Sequence, residues 1–205
     1  TISGTSISFG TPVRFASVDV EHTGISYDSN SERVVIGYRD NPNSNRGTAV
    51  VGSVSGTAIS FGTPVVFTTN STAGSIPIAV TFDSSNNKIV IAWSDSTAST
   101  HPKAIVGTVN PANNSISFGT ETVIASVSSN SLSAAFDSTN NKIVVAYEDG
   151  SNTQRGTAVV GAVSGTSISF GTPVVFVDQS LGEGTKCVFV AQGRVFIAFV
   201  GGALP

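Results

Sequence analysis

The sequence predicts an all-β protein, a β-propeller of about four blades, and three observations carry that expectation. The pentapeptide Ile-Ser-Phe-Gly-Thr occurs four times, with its aromatic at Phe9, Phe61, Phe118 and Phe170. Successive copies lie about 50 residues apart, the length of a kelch-type blade. Each interval holds four short runs rich in Val, Ile and aromatic residues, broken by Ser, Asn, Gly and Asp, and none has helical periodicity. A β-helix has shorter coils, and a row of sandwich domains needs about 100 residues for each. The reading is one domain over 1–205, with units at 24–67, 76–124, 132–176 and 186–200, the last joined by 5–15.

Within a unit the runs are called A to D. Strand A, 76–82 in the second unit and Leu132 to Phe136 in the third, carries small residues and suits the crowded centre of a propeller. The turn after it reads Asp28-Ser-Asn-Ser-Glu-Arg33, Asp83-Ser-Ser-Asn-Asn-Lys88 and Asp137-Ser-Thr-Asn-Asn-Lys142. Asp and Asn there bond their own backbone and tolerate left-handed conformations, which explains the turn without a ligand. A calcium site is the weaker alternative, because the loop has neither the length nor the carboxylate count of a calcium motif. Strand B, Arg33 to Asp40, Lys88 to Asp95 and Lys142 to Asp149, is apolar on both faces, as expected between neighbouring sheets. Strand C includes Gly47 to Gly52, Lys103 to Gly107 and Gly156 to Gly161. Strand D carries Gly-Thr-Pro at Gly10, Gly62 and Gly171; proline has no ladder donor, so D is placed outermost. Glu121 replaces that proline in the remaining copy, and a charge also blunts an edge.

In such a blade the B–C loops and D–A links emerge at one end. Those are the segments that vary here: Arg39 to Asn45, Ser94 to Pro102 and Glu148 to Gln154, with links at Ala16 to His22, 68–75, Ala125 to Ser131 and 177–185. A constant frame with one varied rim suits recognition by loops, and drift in unconstrained loops is the competing explanation. At that rim each B strand ends in an aromatic followed by an acid, and a basic residue opens strand C. The sets are Tyr38, Asp40 and Arg46; Trp93, Asp95 and Lys103; and Tyr147, Asp149 and Arg155, with Phe199 as the degenerate fourth aromatic. These nine are the candidate ligand-binding residues, rings stacking on sugars while Asp and Arg hold hydroxyls. Packing between blades and a cross-strand ion pair at each hairpin explain the same pattern.

The fourth unit has strands A and B, Lys186 to Val190 and Arg194 to Val200, but neither C nor D; the D-type run Thr5 to Phe15 is available to complete it. The other readings of this break are a three-stranded blade, further blades in a longer polypeptide, and strand exchange between chains. There is no Met at all, which fits a processed form or a piece of a longer protein.

Of the 205 residues 40% are hydrophobic and only 11% charged, so the surface is clothed in Ser, Thr, Asn and Gly, a coat suited to an extracellular or virion protein. A net charge of -3 without a basic cluster argues against nucleic acid. No run reaches the roughly 20 apolar residues of a membrane span. The single cysteine, Cys187, excludes an internal disulfide and reads as a structural thiol. No metal or cofactor is expected. Catalysis is not expected either: Asp40, Asp95 and Asp149 repeat with the blades, whereas paired catalytic carboxylates need unlike environments, and His22 and His101 stand as loop residues without a partner.

The wording of the repeat is specific. Phe-Asp-Ser-x-Asn-Asn-Lys-Ile-Val (Phe82 to Val90, Phe136 to Val144), Gly-Thr-Ala-Val-Val-Gly, and Ser-Gly-Thr-x-Ile-Ser-Phe-Gly-Thr-Pro-Val-Val-Phe closely resemble a repeat of tail-fibre and other virion structural proteins of marine phages, notably cyanophages. The resemblance covers nearly the whole chain and weakens over the last 30 or so residues. It implies a virion-surface role, as a module of a longer fibre protein that meets a host glycan or receptor and neighbouring fibre chains, with a homo-oligomer as one arrangement. A purely structural assembly role is the alternative, and a glycoside hydrolase the least favoured. The resemblance brings no catalytic residues with it.

Overall fold

The computed structural model describes residues 2–74, 77–182 and 184–201. The first residue of the strand A expected at 76–82, one residue in each of the links 68–75 and 177–185, and the tail 202–205 lie outside the described residues. The chain opens with a small hairpin, β1 (Ile2–Ser3) and β2 (Ser6–Ile7). Three sheets of the same plan follow. The first holds β3 (Val20–Asp28), β4 (Arg33–Asp40), β5 (Arg46–Ser55), β6 (Ala58–Phe61) and β7 (Val65–Ser71). The second holds β8 (Ala79–Asp83), β9 (Lys88–Asp95), β10 (His101–Asn110), β11 (Ser115–Phe118) and β12 (Thr122–Val123). The third holds β13 (Leu132–Asp137), β14 (Lys142–Asp149), β15 (Arg155–Ser164), β16 (Ser167–Phe170) and β17 (Val174–Ser180). A hairpin of β18 (Lys186–Ala191) and β19 (Arg194–Ala198) ends the described fold.

All pairing is antiparallel, with strand order A-B-C-D in each of the three five-stranded sheets. The three B strands run over the residues that the sequence assigns to them. Strand D is the outer one, as its proline requires, but it comes in two pieces. In the first sheet β6 pairs with the far half of β5, the Gly62 amide donates to the Val51 carbonyl at 2.9 Å, and β7 resumes pairing with the near half of β5. Gly119 and Gly171 repeat that bond to Val106 and Val160. Proline sits where the ladder is already interrupted, so its missing donor leaves nothing unpaired.

The sheets stack face to face in chain order. Val35, Val51 and Phe67 of the first pack against Ile91, Trp93, Ile105 and Ile116 of the second. Val90, Ala92 and Val106 of the second pack in turn against Val145, Tyr147, Val159 and Ile168 of the third. Here β9 is buried from Ile89 to Asp95, which explains its apolar sequence. Strand A contacts link neighbours too: β3 meets β8, β8 meets β13, and β13 meets β18.

The amino-terminal run differs from the expected D strand of the last blade. Among the described residues β2 pairs only with β1, and β18 and β19 remain a two-stranded sheet. The Ile2↔Ile7 and Ser3↔Ser6 register, turning at Gly4 (φ 57°), matches Val54↔Ile59 and Ser55↔Ala58 turning at Gly56 (φ 60°). The hairpin is therefore a C–D corner. The run after it lies on the first sheet, with the Phe15 ring edge-on to Tyr38 at 5.4 Å and to Phe61 at 6.3 Å.

Candidate binding surface

The structure places the nine candidate residues at the expected end of each sheet, with the three aromatics turned into the core and Asp40, Arg46, Asp149 and Arg155 partly open. Tyr38, Trp93 and Tyr147 are fully buried. Phe15 covers Tyr38, Phe67 stands edge-on to Trp93 at 5.0 Å, and Ile124 and Phe170 share a core cluster with Tyr147. Burial, reinforced by the Asp40 charge, pushes the Tyr38 phenol up to about 12, and burial with Asp149 does the same to Tyr147. A sugar has no ring face to stack on here; these aromatics bind sheet to sheet.

Of the expected cross-strand ion pairs, only the second is formed among the described residues. The Lys103 ammonium stands 2.6 Å from buried Asp95 and 3.1 Å from Glu121. Asp95 also accepts from Asn70 Nδ2 at 2.7 Å and from the Thr97 amide and hydroxyl, capping the short 3-10 turn Ser96–Ala98. Burial alone would raise its pKa, but the bonds from Lys103, Thr97 and Asn70 outweigh burial and bring it down to about 2. In the first sheet Asp40 accepts from the Asn43 amide while Arg46 donates to the Thr69 carbonyl. In the third Asp149 accepts from the Ser151 amide and hydroxyl, and Arg155 pairs with Asp178 at 2.6 Å. The register sets Asp40 opposite Arg46 and Asp149 opposite Arg155, yet each carboxylate turns into its own loop and each arginine reaches the outer strand, β7 or β17.

The loops share one ending. Each B–C loop ends in two consecutive left-handed residues, none of them glycine: Ser44 and Asn45, Ser99 and Thr100, Thr153 and Gln154, with φ between 53° and 62°. Such residues each store on the order of 1–3 kcal/mol and persist only where the surroundings hold them. The brace is the neighbouring D–A link. The second left-handed carbonyl accepts from it every time: Asn45 from the Thr72 amide at 2.9 Å, Thr100 from Ser129 at 3.2 Å, Gln154 from Leu181 at 2.8 Å. On that fixed frame the side chains change, from Asn41-Pro-Asn-Ser-Asn45 to Ser96-Thr-Ala-Ser-Thr100 to Gly150-Ser-Asn-Thr-Gln154.

The opposite end is built from the constant A–B turns. Asp28, Asp83 and Asp137 are buried and accept the amides of their own turns, Asn30 and Ser31, Ser85 and Asn86, Thr139 and Asn140. Asn86 and Asn140 side chains close the second oxygen of Asp83 and Asp137. Those carboxylates hold the hairpins. Beside these turns an open cavity of about 420 Å³ is lined by the A strands of all four units, including Tyr27, Phe82, Phe136 and Phe189. Cys187 lines it too, its amide and thiol both near the Ser133 hydroxyl, and burial pushes the thiol pKa up. The histidines are not loop residues: His22 lies on β3 with Nε2 2.6 Å from the Gly74 carbonyl oxygen, and His101 opens β10.

Residue types mark the rim through its aromatics and charges; the paired left-handed steps carry no compositional signal, because Ser, Thr, Asn and Gln occupy them. No family model matches the sequence, and no curated protein matches it.

Proposed function

We propose that this chain is a non-catalytic binding module of the virion or cell surface, a propeller-type array of about four blades whose loop-bearing end adheres to a host glycan or receptor. One observation carries the reading: a strained, identically braced loop backbone recurs in three sheets while its polar side chains vary. Rigid loops with adaptable hydrogen-bonding groups lose little freedom on binding. Several weak equivalent sites gain strength together. The propeller arrangement draws support from the four inner strands that line one cavity. The non-catalytic reading draws support from Asp95, locked to Lys103, and from Asp40 and Asp149, turned into their own loops.

The test is retention on a glycan array and on host-type cells, comparing the protein with a variant carrying Asn43→Ala, Thr97→Ala and Asn152→Ala. Adhesion lost in the variant while its fold persists is expected; no retention of the parent on any surface refutes the proposal. A structural assembly role is the second reading. It is favoured by apolar side chains left exposed at the two ends of the array.

A further inference from the structure

We infer that this chain associates head to tail with a second copy of itself, the amino-terminal C–D corner of one copy docking on the outer face of the third sheet of another. This goes beyond the adhesion reading and does not rest on it, because the two surfaces lie at the ends of the stack rather than in the loops.

The chain shows twice in full, and a third time at the turn alone, how such a corner is received. The first half of each D strand packs directly on strand C of the preceding sheet, β11 on β5 and β16 on β10. Its isoleucine, Ile116 or Ile168, is buried there, and so is the valine beneath, Val51 or Val106. Its phenylalanine packs beside an aromatic of the preceding D strand, as Phe118 does against Phe67 at 5.9 Å. The turn before it sets a carbonyl against the glycine that splits the preceding D strand: Asn114 over Gly62, Thr166 over Gly119, and Thr57 over Gly10.

After the third sheet the receiving half of this arrangement stands exposed. Val160, the counterpart of Val51 and Val106, is 48% exposed, and Val174 is 66% exposed. Among the described residues only the Val160 carbonyl comes within 4 Å of a Cβ on Gly171, where sister glycines meet the next turn. Phe176 and Phe199 meet with ring centres 5.9 Å apart and planes tilted by 56°, and Phe199 is still partly open. The inserting half stands exposed at the other end. Ile7 and Phe9, counterparts of Ile116 and Phe118, are 61% and 83% exposed.

The inserting half carries, in Ile7 and Phe9, the same residue types that the equivalent grooves receive as Ile116 and Phe118, so the occupant that fits is a second copy. Thr5 of that copy then covers Gly171, its Ile7 covers Val160, and its Phe9 closes on Phe176 and Phe199. Docking needs no fourth C strand, because D meets the preceding C directly. The interface is heterologous, so it propagates or closes into a ring.

The experiment is sedimentation velocity on the full chain from low micromolar to millimolar concentration. The unaltered protein forms a concentration-dependent ladder. Phe9→Asp, which removes the inserting side, and Gly171→Val, which fills the receiving groove, each weaken association by at least about tenfold. Mixed one to one, the two variants restore a heterodimer and nothing larger, since each retains one working half. A parent that stays monomeric throughout, variants that associate like the parent, or a mixture that fails to pair would each overturn the inference. A labelled peptide spanning Ile2 to Phe15 gives a second readout that needs no folded variant on the inserting side. It binds the parent and not the Gly171→Val protein, and equal binding to both would likewise overturn it.

Discussion

Substitution of Gly62 by alanine tests the stacking contact that repeats along the molecule. A Cβ there would stand 2.9 Å from the Asn114 carbonyl carbon, with the oxygen nearer still, and the next turn would have to retreat by about 1.5 Å to restore an ordinary contact. That turn is held from the first sheet, the Arg33 guanidinium donating to the Pro111 carbonyl at 2.8 Å and to Asn114 Oδ1 at 2.7 Å. Overpacking of this kind is destabilising by about 1–3 kcal/mol. The paired control is Gly171→Ala, whose Cβ meets only the Val160 carbonyl oxygen at 3.7 Å. There the loss of unfolded-chain freedom stabilises by about 0.4–1 kcal/mol. The variants should differ by roughly 2 kcal/mol, or about 4–8 °C in Tm for a chain of this size, in melts run dilute enough to be monomeric. Coincident melting curves for the two variants would refute the contact argument.

Lys103→Met should destabilise by about 3–5 kcal/mol in urea titrations, because Asp95 stays buried without its cation, whereas Arg155→Met should stay within about 1 kcal/mol at its exposed pair. Asp95 titrates lower when folded than when unfolded, so its contribution is full above the unfolded value near 3.8 and fades as pH falls toward about 2. Asp95→Asn should therefore flatten the acid limb of the stability profile, and an unchanged limb would count against the assignment. Trp93→Ala should be destabilising by about 3–5 kcal/mol and Phe199→Ala by clearly less, since the second ring lies at the open end of the stack. Cys187 should react with a neutral-pH thiol reagent far more slowly in the native protein than in urea; equal rates would contradict its burial beside Ser133.

Strand identity was legible because the period, the polar turns and the double-sided apolar runs all point the same way. Arg33 to Asp40, Lys88 to Asp95 and Lys142 to Asp149 could be bounded to the residue. Proline placed D at the edge but did not reveal that the strand divides, a consequence of the bond from the Gly62 amide to Val51. The C–D corner at the amino terminus was readable in principle, since Ile2-Ser-Gly-Thr-Ser-Ile7 matches Val54-Ser-Gly-Thr-Ala-Ile59. The candidate site was legible only as a place. Whether Arg155 reaches Asp149 or Asp178 depends on its side-chain rotamer at the start of β15, and whether Tyr38 is covered depends on Phe15, outside the sheet that holds it.

The divided D strand puts two rhythms into one chain. Hydrogen bonds tie each D to the sheet before it in sequence, while its Gly62-type corner and Phe67-type ring belong to the layer after it. A cut made between repeats in the sequence thus passes through the middle of a packing layer. Units of this protein cannot be exchanged like bricks; they overlap like roof tiles, and a shortened array sheds water properly only if it keeps the lip of its neighbour.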